Sequence, residues 1–337
     1  MAFAKLGFSF DVAGLTPLIA LVGTGGIFQL VKPRYTGVWL HRFFDTIELI
    51  GLTSLFCLLT CFGTYAVAAA TTGLADPVLA RADAALGFDW PTVYALMSSS
   101  AWLTGAAKLA YTMIFTMPII LLAGLGLTGR GQDGRRFALA FGIALAASLG
   151  LFALLPAGGP IGQFGVDTRA MPTLTTDEQR HIILALRAGG DRFVDLADLQ
   201  GLVSFPSVHA ASAVLFVWGS RPLKVLFWPM VVTNAAMLLA TPIEGNHYLV
   251  DVLAGIAIAG GSIALSGSLI NARWGLARLA GHAACSPGLS AMRIIATSPT
   301  KPVASRYQAG ASAFPVTSIS QVTTNCDEPP KRVTAKA

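Results

Sequence analysis

Long apolar runs, parted by short polar links, organise this chain. A run of about 20 predominantly apolar residues reads as a membrane-spanning helix. Such runs cover about 13–31, 46–72, 101–128 and 137–156. A fifth begins in "SFPSVHAA" and ends near Gly219, a sixth covers about 225–241, and a seventh about 249–270. Apolar residues are continuous within the runs rather than alternating, so helices are expected and a closed barrel is not. The expected fold is therefore all-α: a polytopic transmembrane bundle of six core spans, or seven if the Gly-rich first run also crosses. The link at 74–100 is more polar. Its Leu74, Val78, Leu79 and Ala82 recur at helical spacing, which predicts a short interfacial helix. A long polar stretch fills 158–205. Beyond His282 the chain turns rich in Ser, Thr, Ala and Pro with no apolar period, the composition of a disordered tail. Three parts follow: an N-terminal segment and linker at 1–44, a transmembrane domain at 45–282, and a tail at 283–337.

Charge supplies the topology. Only 12% of the 337 residues are charged, against about 25% in soluble domains. The net charge of +6 does not point to nucleic acid here, because basic residues in a membrane chain mostly set orientation. Lys and Arg are in excess in the links at 32–42, 129–136, 221–224 and 271–278. The intervening links, 74–100 and 158–205, are not basic. This alternation places the basic links in the cytoplasm and the starts of the fifth and seventh runs outside. The expected location is a plasma membrane, of the bacterial inner-membrane kind, with those starts at the periplasmic face. The N-terminal "MAFAKLGFSFDVAGL" lacks the pattern of a cleaved signal, so the first segment is expected to stay in place. Cys57, Cys61, Cys285 and Cys326 form no metal or disulfide framework. "GRGQDGRR" lacks the ending of a phosphate loop and reads as a topology signal.

Two of the five histidines stand at helix boundaries on one predicted face. His209 begins the fifth run. His247 precedes the seventh, and Asp251 follows it by four residues, one helical turn away on the same face. A carboxylate on one ring nitrogen fixes the tautomer and makes the other a better base or nucleophile. In "SFPSVH", Pro206 suits the first turn of a helix, leaving the amides of Ser207, Val208 and His209 free to hold an anion, phosphate above all. His209 beside that anion could donate a proton to a leaving oxygen. Together these residues make a phosphoryl-transfer site that needs no metal and no cofactor. Three plainer readings stand beside it. Ser204 or Ser207 could serve only as a helix cap. His247 and Asp251 could be interfacial boundary residues. The same pair could be the proton relay of a transporter.

"FPSVH" followed by "GNHYLVD" resembles the second and third signatures of the type 2 phosphatidic acid phosphatase superfamily, P-S-x-H and then H-x-x-x-D. The resemblance covers about 187–255. Its phenylalanine before P-S-x-H is similar to the branch that includes inositol phosphorylceramide synthases. It implies a haloperoxidase-like helical bundle of six spans acting on a membrane lipid phosphate or phosphodiester, with His247 as nucleophile, Asp251 as its partner, His209 as general acid and Ser207 on the phosphate. Two departures concern positive charge. "RHIILALR" supplies Arg180 and Arg187 at the spacing of the first signature, with Ala188 where proline is usual. Thr241 stands where the third signature usually has arginine. Arg187 and Arg192 are therefore the expected phosphate-binding cations.

Overall fold

A computed structural model of the chain describes residues 37–166, 177–189 and 199–284, with Phe193–Val194 and isolated positions before 37; side chains are described as far as Ala272. The run at 13–31 lies almost wholly outside the described residues, as does the tail beyond 284. The chain divides into two units, Met1–Leu269 and Ile270–Ala337, and the first carries everything discussed below.

Ten helices are described. They are α1 (Val38–Ala70), α2 (Asp76–Ala85), α3 (Trp90–Ser98), α4 (Ala101–Leu127), α5 (Gly131–Leu154), α6 (Pro160–Phe164), α7 (Glu178–Arg187), α8 (Val208–Ser220), α9 (Lys224–Glu244) and α10 (Leu249–Ala284). A two-residue parallel bridge joins Ser9–Phe10 to Phe193–Val194. Among the described residues five helices are long and apolar enough to cross a membrane: α1, α4, α5, α9 and the Leu249–Ala272 part of α10. The protein is an integral membrane protein. The expected fifth span is shorter than its neighbours. At 13 residues, α8 is about 20 Å long, less than the roughly 30 Å of a bilayer core. The reason lies upstream, where Leu202, Val203 and Ser204 are already buried but not helical. Leu202 N–H donates to Thr64 Oγ1 of α1 there (3.3 Å).

The core lies among α1, α4, α5, α8 and α9, where Leu49, Leu121, Leu125, Phe137, Phe216 and Met237 pack together. Three arginines gather where α1 and α5 begin. Arg135 reaches Glu48 (2.6 Å) and Asp45 (2.7 Å), tying α5 to α1. Arg42 covers the Trp39 ring, and Arg136 the Trp218 ring.

The link at 74–100 forms two helices rather than one. Their buried face also differs from the expected apolar stripe. Val78 is 53% exposed, whereas Asp76, Leu79 and Asp83 face inward. That face, two turns of α2, meets the connections α5–α6 and α9–α10. Trp90 opens α3 and donates its indole N–H to Pro242 O near the end of α9 (2.9 Å).

Candidate active site

The site is built on two helix starts. Ser207 caps α8: its backbone is extended, and its hydroxyl accepts from Ala210 N–H (3.3 Å). Pro206 thus precedes the helix rather than occupying its first turn. Ser207 N–H is not free either, because it donates to the backbone oxygen of Asp251 (3.0 Å). Of the amides expected to be open, those of Val208 and His209 remain, as the first amides of a helix have no intrahelical acceptor. The contact with Asp251 is close because α10 presents Gly255 to α8. A Cβ there would lie 2.3 Å from Ser207 O and 3.0 Å from Ala210 Cβ.

The second start is the turn from α9 into α10. His247 N–H donates to Pro242 O (3.0 Å). Asn246 takes a left-handed backbone, φ 53°, a conformation in which Asn is several-fold enriched. Its side chain accepts from Ile161 N–H (2.8 Å) and donates to Gly158 O (3.1 Å). Tyr248 donates its phenol proton to Asp76 (3.1 Å). Asp76 also accepts the amides of Gly158 (2.9 Å) and Gly159 (2.7 Å). Asp83 accepts those of Leu249 (2.8 Å) and Val250 (2.9 Å). Burial pushes the Asp83 carboxyl up from the ordinary carboxylate range, and the Val250 and Leu249 amides pull it back. Burial, with Asp76 next to it, holds the Tyr248 phenol well above its ordinary value.

On this frame His247 and Asp251 meet. Nδ1 of His247 lies 3.3 Å from Oδ2 of Asp251, which also accepts Tyr248 N–H (2.9 Å). Both side chains are buried. His209 faces His247 with ring centroids 6.4 Å apart. The other side of the His209 ring stacks on Tyr111 of α4, centroids 4.0 Å apart and planes within 14°. The Tyr111 hydroxyl is 3.2 Å from Nδ1 of His209. With the rings nearly parallel, that oxygen sits off the imidazole plane, so stacking dominates the contact. Nε2 of His209 is buried and has no hydrogen-bond partner among the described residues. Gly245 keeps the group tight, since a Cβ there would lie 2.7 Å from the His247 ring and 2.8 Å from the Tyr111 hydroxyl.

His209 and His247 line one end of a cavity of about 800 Å³. The cavity extends along α1 and α4 past Thr53, Cys57, Phe115 and Pro118. No Lys or Arg is among its described lining residues.

The structure uses Arg187 differently from the expectation. It donates to Ala68 O (3.1 Å), Gly73 O (2.8 Å) and Thr71 Oγ1 (3.0 Å), closing the C-terminal end of α1. Ala68 O belongs to the last turn of α1, where carbonyls have no main-chain partner within the helix, so a guanidinium fits it well. Burial draws Arg187 below its ordinary value. Arg192 lies outside the described residues. Thr241 is buried and turns its hydroxyl back onto Met237 O (2.7 Å). Four residues that sequence reasoning passed over frame the site: Asp76, Asp83, Tyr111 and Asn246. Only Asn246 carried a local signal, as an asparagine in a tight turn beside glycine.

The bundle and this cluster define a class: a helical membrane protein that holds two facing histidines, one paired with a carboxylate, where α8 and α10 begin. The sequence model of the PAP2 superfamily matches residues 77–265, more than half of the chain, and this protein belongs to that superfamily. Its members are phosphatases or phosphotransferases. The matched region includes His209, His247 and Asp251. No curated protein and no solved structure matches the chain.

Proposed function

We propose that the protein is a lipid phosphatase or phosphotransferase that works through a phosphohistidine on a membrane lipid phosphate or phosphodiester. The observation that carries this reading is the facing of His209 and His247, with Asp251 on Nδ1 of His247. Asp251 leaves Nε2 of His247 as the attacking atom and supports the imidazolium formed during transfer. Nε2 attacks phosphorus, a P–N bond forms and the bond from phosphorus to the leaving oxygen breaks. His209 delivers its Nε2 proton to that oxygen. Water or a lipid hydroxyl then gives its proton back to His209 and attacks phosphorus. The P–N bond breaks and His247 is restored. The Val208 and His209 amides hold the phosphate, and Ser207, though it accepts from Ala210, keeps a hydroxyl proton to donate.

The cavity along α1 and α4 takes the apolar part of the lipid. Together with the extended stretch before it, α8 makes the sixth crossing. Arg42, Arg135 and Arg136 face the cytoplasm, which sets the histidines at the outer face, periplasmic in a bacterial inner membrane. Transfer of a phospho-headgroup to a ceramide or diacylglycerol hydroxyl, as in the inositol phosphorylceramide synthase branch, is the alternative to hydrolysis, since the same three residues serve either acceptor. His247, only 4% exposed, opens to a cavity lined by α1 and α4 and also by Glu178, Gln179, Gln200 and Gly201 outside the spans.

The test is turnover by detergent-purified protein of phosphatidic acid, isoprenyl phosphates, and phosphatidylinositol with ceramide, for wild type and His247→Ala. Wild type is expected to form an acid-labile phosphoenzyme that the variant lacks. Equal turnover by both would sink the mechanism. Free phosphate without a new lipid would select hydrolysis.

A further inference from the structure

We infer that Asp83, with Asp76 two turns earlier on the same helix, is a positioning residue that holds His247 and Asp251 in register from α2, a helix outside the spans. The inference rests on the reading of His247 as nucleophile. Helix α10 begins at Leu249, so Tyr248 occupies its cap position. A tyrosine has no short-range acceptor for the first amides, the task that Ser, Thr, Asn or Asp performs at most caps. Half of a reciprocal cap is nevertheless present. Asp251, third in the helix, reaches back to Tyr248 N–H (2.9 Å). The missing half comes from Asp83, whose two oxygens take Leu249 N–H and Val250 N–H separately. A carboxylate at that point also suits the positive end of the helix dipole.

The same Oδ2 of Asp251 serves both Tyr248 N–H and Nδ1 of His247. Any unwinding or rotation of the first turn therefore moves the carboxylate off the imidazole. Asp76 fixes the other side of this turn. It binds the Tyr248 phenol and the Gly158 and Gly159 amides, and Gly158 O in turn holds Asn246. His247 thus sits between two residues whose side chains are both anchored outside α9 and α10. One face of α2, Asp76–Leu79–Asp83, works as a polar jig for the nucleophile.

The test uses the full chain in detergent, with Asp83→Ala, Asp83→Asn and the His247→Ala control. Amide exchange over 246–252, read by mass spectrometry, is expected to be at least about tenfold faster in Asp83→Ala, while α1 and α4 stay as in wild type. Asparagine keeps one carbonyl acceptor, so Asp83→Asn should recover part of the protection. Turnover by Asp83→Ala should fall by about 10²-fold in kcat with KM within twofold, and Asp83→Asn should regain much of it. Unchanged exchange in Asp83→Ala would overturn the inference. So would an Asp83→Asn variant that recovers protection but not kcat, because charge rather than position would then be the cause. If Asp83→Ala does not fold, Asp83→Asn decides: exchange and kcat both equal to wild type would overturn the role, and a partial loss of both would support it. Turnover by His247→Ala equal to wild type would defeat the proposed mechanism, while the exchange experiment would still decide the role of Asp83.

Discussion

Gly255→Ala tests the coupling between the two helix starts with the smallest possible change. Gly255 lies one turn after Asp251, where α10 meets the cap of α8. An added Cβ would stand 2.3 Å from Ser207 O, 3.0 Å from Ala210 Cβ and 3.1 Å from Ala211 N. Two of these atoms are backbone, so no side-chain rotation relieves them. Restoring ordinary contact, near 3.5 Å, needs a displacement of about 1 Å between α8 and α10. Overpacking of this kind typically costs about 1–3 kcal/mol of stability. The larger effect is on geometry, because the displaced segment carries His209 on α8 while Asp251 and His247 stay with α10. A misplacement of about 1 Å can cost about 10²-fold in rate. We expect kcat for a lipid phosphate to fall by about that factor with KM little changed. The control is Gly261→Ala on the same helix, where an added Cβ meets nothing within 4 Å. Alanine gains up to about 1 kcal/mol in helix propensity, so that variant should keep full activity and unfold no earlier. The assay is turnover and thermal unfolding in detergent for both variants. Gly255→Ala turnover within twofold of Gly261→Ala would refute the idea that this crossing sets the histidine pair.

Three further substitutions separate roles. His209→Ala should lower turnover of an alkyl phosphate ester by about 10²–10⁴-fold, and far less for a nitrophenyl leaving group that needs no proton; equal losses would rule out an acid role. Ser207→Ala should cost about 1 kcal/mol through the lost cap, read by thermal unfolding, and should also raise KM if the hydroxyl donates to phosphate; an unchanged KM would leave Ser207 a cap alone. Arg187→Ala should destabilise by about 1–3 kcal/mol as the end of α1 loses its guanidinium, with KM unaltered; a tenfold rise in KM would return Arg187 to the phosphate.

The elements legible in the sequence were those whose signal is local. Length and apolar continuity marked α1, α4, α5, α9 and α10, because lipid forces each span to satisfy its own backbone. The His247–Asp251 pair was legible for a similar reason: a four-residue spacing becomes a contact in any helix. Asp83 was not legible. Its partners are main-chain amides 166 and 167 residues away, and an amide leaves no mark on sequence. An aspartate in a polar link reads as solvated, and only the fold shows that α2 turns two of them inward. Arg187 illustrates the converse. A basic residue near a motif suggests an anion, while the competing acceptors, the carbonyls ending α1, lie more than 110 residues earlier. The short α8 matches the short fifth run from "SFPSVHAA" to Gly219; what the sequence did not show is that Leu202, Val203 and Ser204 ahead of it are buried without being helical.

These details bear on why the proposed chemistry sits where it does. A span satisfies its backbone internally except at its ends, where the first amides need other acceptors. The histidines stand at or just before two such starts, those of α8 and α10. Ser207 serves one start from within, Asp83 serves the other from α2, and Ser207 N–H on Asp251 O joins them. The requirement to satisfy buried amides thus also fixes the distance between the two imidazoles. The superfamily match begins at residue 77, just past Asp76, and includes Asp83. On the mechanism proposed above, α2 belongs to the catalytic unit, although composition alone assigns it to a surface link. Loss of α2 should therefore abolish function even where all five long helices remain inserted.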